Sequence, residues 1–139
     1  MNHRAIINLV SFLMLVLGIG IGLCWFCSIM FAESGAVQFG MLSASIFAIT
    51  TGACGAWLSR GPLTLRRLDG FGIVTAGWLM ASIVGALPYM FTGVIPEPAA
   101  AIFESMSGFT TTGASVLSNL EELPKSVLLW RSATQWFGG

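Results

Sequence analysis

The polar positions of this chain are few and bunched, and the stretches between them are long. Arg4 and Glu33 enclose 28 residues without a charge, Glu33 and Arg60 enclose 26, and Asp69 and Glu97 enclose 27. A hydrocarbon core ~30 Å thick takes about 20 apolar residues to cross as a helix. Each gap therefore holds one crossing, with residues left over for tilt or for interfacial ends. The pattern predicts helices over residues 6–30, 37–58 and 71–93. The first could be mistaken for a cleaved leader, because Met1-Asn2-His3-Arg4 places a positive charge before an apolar run. A leader's apolar run is about 7–15 residues long, and this one is nearly twice that, so an uncleaved helix is expected.

Beyond residue 96 the pattern changes. Pro96-Glu97-Pro98 is a turn, and Pro98 suits the first turn of a helix, where its missing N–H is not needed. Residues 99–107 then form a short predicted helix, with Gly108 expected to stop it. About ten residues rise only ~15 Å, half a bilayer. The following Phe109-Thr110-Thr111-Thr112-Gly113-Ala114-Ser115 is apolar enough to enter a membrane but too short and too polar to cross it. Residues 119–125 are polar and charged and belong outside. A segment that begins and ends on one side, entering by a half-length helix, is a re-entrant loop.

Composition agrees with this picture. Hydrophobic residues make up 55% of the 139 positions and charged residues 9%, with six Lys/Arg against six Asp/Glu. Soluble domains carry about a quarter charged residues, so the expected class is all-α integral membrane. No basic surplus exists to neutralise phosphates, so nucleic acid is not an expected partner. High hydrophobicity with little charge is the reverse of a disordered composition. The basic residues also predict orientation. Arg4 precedes the first helix and Arg60, Arg66 and Arg67 lie between the second and third, whereas Glu33, Glu97, Glu121 and Glu122 fall on the other side with Lys125. By the positive-inside rule the N-terminus is expected in the cytoplasm and the third helix to run outward. Arg66 and Arg67 mainly signal topology, and they also offer a contact to anionic membrane lipid.

Irregular backbone at membrane depth is tolerated only where it is buried in protein or lines a water-filled cavity. A half-helix pointing its C-terminus inward directs a negative dipole end at the membrane centre. Carbonyls of Thr110, Thr111, Thr112 and Gly113 then have the chemistry to replace the water shell of a cation, and Gly113 has the conformational freedom to aim them. A cation is expected at Thr111 and Thr112. No titrating base or nucleophile is called for, so no catalytic residue and no cofactor are expected, and the chain is not expected to be an enzyme.

These residues carry a resemblance. Phe103-Glu104-Ser105-Met106-Ser107-Gly108-Phe109-Thr110-Thr111-Thr112-Gly113-Ala114 resembles the first pore loop of the Trk/Ktr potassium-uptake family, membrane subunit of the TrkH/TrkG type. Arg131-Ser132-Ala133-Thr134-Gln135-Trp136-Phe137-Gly138-Gly139 is similar to the start of the inner helix that follows, and Leu87-Pro88-Tyr89 fits the preceding one. Two leading helices favour the TrkH/TrkG branch. The resemblance implies four helix–pore-loop–helix repeats around one pore, with the carbonyls near Thr111, Thr112 and Gly113 giving one quarter of the potassium site. It implies residence in the bacterial inner membrane, a cytoplasmic nucleotide-binding Trk regulatory subunit as partner, and a homodimer at full length. It divides the chain into a leading hairpin over 1–67 and a first repeat over 68–139 that stops inside its second helix. The expectation is thus an N-terminal fragment that does not transport by itself.

Other conspicuous residues admit blander readings. Glu104 and Arg131 are the single acid and base of their segments, expected either as a buried pair bracing the loop from behind or as separate groups meeting water. Cys24-Trp25-Phe26-Cys27 has redox spacing, but in an apolar helix such cysteines are ordinary small residues. Cys54 and His3 have no evident partners. Gly18 and Gly22, with Gly52 and Ala56, offer small faces for packing a hairpin. Trp57, Trp78, Trp130 and Trp136 suit interface anchors. The rivals to a cation filter are a small accessory membrane protein, in which residues 98–115 are merely a packed hairpin, and a thiol enzyme using Cys24 and Cys27.

Overall fold

A computed structural model describes residues 3–61 and 67–139, the side chains of Arg67 and Leu68 excepted. Arg66, assigned above to topology and lipid contact, lies outside the described residues. Among the described residues five α-helices follow in order: α1 His3–Met30, α2 Gly35–Leu58, α3 Arg67–Phe91, α4 Pro98–Phe109 and α5 Lys125–Gly138, with a 3-10 turn at Leu120–Glu122. Three helices among the described residues, spanning His3–Met30, Gly35–Leu58 and Asp69–Phe91, are long and apolar enough to cross a membrane. They correspond to the three uncharged gaps. The third begins earlier than the gap suggested, because Arg67 and Asp69 are taken into its first turn. An acid in the first turn faces the positive end of the macrodipole, so charge alone does not mark this boundary.

The turn after α1 closes it tightly. Ala32 takes φ 50°, its N–H bonds the Ile29 carbonyl at 3.0 Å, and Glu33 N–H bonds the Ser28 carbonyl at 3.1 Å. This is the Schellman arrangement with alanine at the left-handed position. It lets α2 return antiparallel along α1. Between lipid-soluble helices no hydrophobic force favours contact, so close backbone approach and interhelical hydrogen bonds take its place. A Cβ on Gly18 would lie 2.7 Å from the Ile49 side chain, and one on Gly52 would lie 2.9 Å from the Ser11 carbonyl. Ser45 Oγ donates to the Gly18 carbonyl at 2.8 Å, and Asn8 Nδ2 to Ser59 Oγ at 3.2 Å. On α2 the second small position is Gly55, which faces Ser11 Oγ, rather than Ala56.

α3 lies parallel to α1 and antiparallel to α2, whose Gly40 abuts the Phe91 carbonyl. Pro88 sits inside α3, where it removes the donor that would bond the Val84 carbonyl. One residue further, the Gly85 carbonyl accepts the indole N–H of Trp130 from α5 at 3.0 Å. A neighbouring helix thus supplies a donor beside the proline, as bilayer-spanning helices require. Trp130 is fully buried, so the interface-anchor expectation fails for it: its one polar atom is spent inside the protein. Trp57, Trp78 and Trp136 remain exposed, by 63%, 42% and 80%.

The chain ends of these helices define two sides. Glu33 from the α1–α2 turn reaches Ser126 at the start of α5, and Gly40 near the start of α2 meets the end of α3. α4 and α5 therefore both start on the side where α3 ends. They run in the same direction, since Glu104 meets Arg131, Gly108 meets Thr134 and Phe109 meets Gly138. The connecting segment must rise back between them, which is the re-entrant path predicted from sequence.

Candidate functional site

The 12 residues of α4 rise about 18 Å. Its depth is fixed against α3, because Ser82 Oγ lies 3.3 Å from Met106 Sδ. Ser82 stands nine residues before the end of α3, about 14 Å down from that side, near the membrane centre. Gly108 does not stop the helix as expected. It is the point where α4 meets α5: a Cβ there would lie 2.2 Å from Thr134 Oγ1.

The helix instead ends in the threonine run. Thr111 N–H bonds the Gly108 carbonyl at 3.0 Å and Thr112 N–H bonds the Ser107 carbonyl at 3.1 Å. Thr111, at φ 55°, occupies the left-handed position that glycine usually fills. A β-branched residue there is a true conformational outlier, strained by about 1–3 kcal/mol. The Thr110 hydroxyl bonds the Met106 carbonyl at 2.8 Å and lies 2.8 Å from the Thr112 hydroxyl. Gly113 follows at φ 78°. Sequence singled out Gly113 for unusual dihedrals; it offered no signal that Thr111 shares them.

These bonds use up N–H groups and leave carbonyls. Among the described residues no hydrogen bond ends on the carbonyls of Thr111, Thr112 or Gly113, while the Ala114 carbonyl accepts the Ser107 hydroxyl. Residues 110–116 are exposed on the surface of this unit. Carbonyls left without donors have the chemistry to ligate a cation that has shed its water.

Behind the loop lies Glu104, 1% exposed. Arg131 Nε donates to its Oε1 at 2.8 Å, Val116 N–H to its Oε2 at 2.9 Å, and Ser115 Oγ is 3.0 Å from both oxygens. The sequence left Glu104 and Arg131 either as a buried pair or as separate groups meeting water, and the structure brings them together. It adds two partners that the sequence did not indicate, Ser115 and the Val116 amide. The carboxylate thus ties the descending α4, the returning part of the loop and α5 into one node. Thr134 Oγ1 bonds the Arg131 carbonyl at 2.7 Å, and Gly138 presses on Phe109, where any Cβ would overlap the carbonyl oxygen.

The remaining candidates stand apart from this node. Cys24 is buried in α1, Cys27 is half-buried and Cys54 is exposed on α2; all three are free thiols. Among the described residues no group of three or more His, Cys, Asp or Glu side chains is placed to hold a metal ion. One long-range contact escaped the sequence altogether: the Glu33 carboxylate accepts Ser126 N–H at 3.0 Å and the Ser126 hydroxyl, across 93 positions of chain.

The fold and the loop have known counterparts. Residues 37–139 match the family model TrkH, described as a cation transport protein. The whole chain is 33% identical to the Trk system potassium uptake protein TrkH of Vibrio parahaemolyticus and spans 29% of that protein. TrkH of Halomonas elongata is 45% identical over 76 residues, 54% of this chain and 16% of the relative. The crystal structure of the potassium transporter TrkH from Vibrio parahaemolyticus superposes with a TM-score of 0.90 at 30% identity, over 99% of this chain and 30% of that one. This chain therefore spans less than a third of the length of these relatives. With three helices among the described residues long and apolar enough to cross a membrane, a half-length helix and returning loop after them, and a family match over residues 37–139, the chain belongs to the TrkH family of cation transport proteins.

Proposed function

We propose that this chain supplies the first segment of a potassium-selective filter in a Trk-type uptake system of the bacterial inner membrane. The carbonyls of Thr110, Thr111, Thr112 and Gly113 are the ligands in this reading, with potassium held at Thr111 and Thr112. Glu104 and Arg131 support them from behind. The observation that carries it is the exposed turn of unbonded carbonyls at the C-terminus of a half-membrane helix. The names of the relatives, potassium uptake proteins, support the choice of ion. One such segment faces an ion from one side only, so further segments of the same kind must complete the ring.

In the same reading, residues 1–67 are a leading hairpin and 68–139 the first pore repeat. The N-terminus is cytoplasmic, which the placement of Arg4 and Arg60 supports. The filter entrance then lies on the outer side, where α4 and α5 begin. Cytoplasmic regulation falls to a nucleotide-binding Trk subunit, and the assembled transporter is a homodimer.

The test is uptake of potassium by deficient cells that express the intact transporter carrying this segment. Gly113→Ala is the informative variant: the added methyl meets open space, but φ 78° disfavours any side chain by about 1–2 kcal/mol. Reduced discrimination of potassium from sodium supports the reading. Unchanged uptake and unchanged selectivity reject it. Residues 1–139 expressed by themselves are expected not to restore growth.

A further inference from the structure

The bond between Glu33 and Ser126 ties the α1–α2 turn to the pore repeat. Pro124, which caps α5, has no side-chain hydrogen bond to offer the first turn. The first N–H groups of a helix need partners, and a carboxylate at that end also faces the positive pole of the dipole. Glu33 meets both needs from another element: one oxygen takes Ser126 N–H at 3.0 Å and the other takes its hydroxyl. Ser126 is fully buried, so water does not substitute easily. The contact is doubled by Lys125, whose ammonium lies 5.0 Å from the centre of the Phe31 ring in the same turn.

The consequence lies further along α5. A helix transmits axial displacement as a rod, at about 1.5 Å per residue. Five residues below Ser126, Arg131 bonds Glu104, and Glu104 bonds Ser115 and the Val116 amide of the loop. Below that, Thr134 meets Gly108 and Gly138 meets the Phe109 carbonyl at close range, so neither contact tolerates a shifted register.

We propose that Glu33 is a positioning residue for the filter loop. From the α1–α2 turn it sets the height of α5, and through Arg131 and Glu104 the height of residues 110–116. This rests on the reading of that loop as the filter. The leading hairpin then has a task in conduction beyond filling membrane.

The experiment compares the purified intact transporter with its Glu33→Gln and Glu122→Gln variants. Glutamine keeps the volume of Glu33 and can keep both contacts, its oxygen accepting Ser126 N–H and its amide N–H donating to the hydroxyl, but it removes the charge. Glu122 lines the same surface cavity as Glu33 and Lys125, with no bond to Ser126, and serves as the control. Amide exchange at Thr112, Val116 and Leu117 is the first readout, because each amide is bonded within the loop node. Exchange faster by about fivefold or more in Glu33→Gln, with Glu122→Gln unchanged, is expected from loss of the charge that strengthens these bonds. The KM for potassium should rise by about threefold or more in the same variant. A cap that served only local stability would leave both at the wild-type value. Loop exchange unchanged in Glu33→Gln overturns the proposal whatever the uptake shows. Faster loop exchange, in a wild-type protein without potassium uptake, retains the positioning role and rejects the filter reading instead.

Discussion

Replacing Glu104 by glutamine keeps shape and removes charge at the point where three parts of the repeat meet. The carboxylate receives donors on both oxygens, from Arg131, Val116 and Ser115. A glutamine has one acceptor oxygen, so its amide nitrogen must point at either the arginine or the Val116 N–H. An unpaired buried donor costs about 1–3 kcal/mol. Breaking a buried ion pair costs about 3–5 kcal/mol, but the Arg131 side chain is 20% exposed and recovers part of this from water. A figure of about 3 kcal/mol follows for the whole node, since these terms overlap and do not add.

At ~1.4 kcal/mol per decade this is about a hundredfold fall in the ratio of correctly placed to displaced loops. Potassium that binds only the ordered loop shows a weaker apparent Kd by the fraction lost. On the proposal that this loop binds potassium, the affinity of Glu104→Gln falls by up to about a hundredfold, and by more the less stability the wild-type loop has in reserve. Calorimetric titration of the purified intact transporter with potassium measures this directly. Arg131→Met introduced into Glu104→Gln should cost much less than it does in the wild type, because the pair is already broken. Strictly additive losses in the double variant would refute the argument that the pair holds the loop.

Three further outcomes follow from the packing. Gly138→Ala forces a Cβ to within 1.8 Å of the Phe109 carbonyl oxygen, a backbone atom that cannot swing aside; a loss of about 3 kcal/mol or more is expected, read as a lower melting temperature in detergent. Gly108→Ala collides with Thr134 Oγ1 at 2.2 Å, so Thr134→Ala should restore much of the melting temperature that Gly108→Ala loses. Trp130→Phe retains most of the ring but leaves the Gly85 carbonyl without its indole donor beside Pro88; a loss of about 1–3 kcal/mol is expected in thermal unfolding.

The crossings were legible because the bilayer imposes a length and forbids charge, and 28, 26 and 27 uncharged residues satisfy both conditions wherever their side chains point. The half-length of α4 was legible for the same reason, and so was the loop that follows it. The ends of the elements were not. Gly108 carried the sequence signature of a helix stop, yet it faces Thr134 while Thr111 takes the left-handed turn. Glycine serves both close approach and positive φ, and only the neighbouring helix decides between them. Trp130 shows the same ambiguity, since an amphipathic ring suits an interface or a buried carbonyl equally well.

The sequence by itself determined the membrane class, the three spans and the position of the threonine–glycine loop, all of which depend on local composition and length. It also marked Glu104 and Arg131 as groups in need of partners, because a lone charge at membrane depth is costly. What the tertiary structure decided was who those partners are. Ser115 and Val116 join the Glu104 node, and Glu33 reaches Ser126 across 93 positions of chain. Such contacts depend on how the helices are stacked and at what height, and no spacing along the chain records a distance between helices.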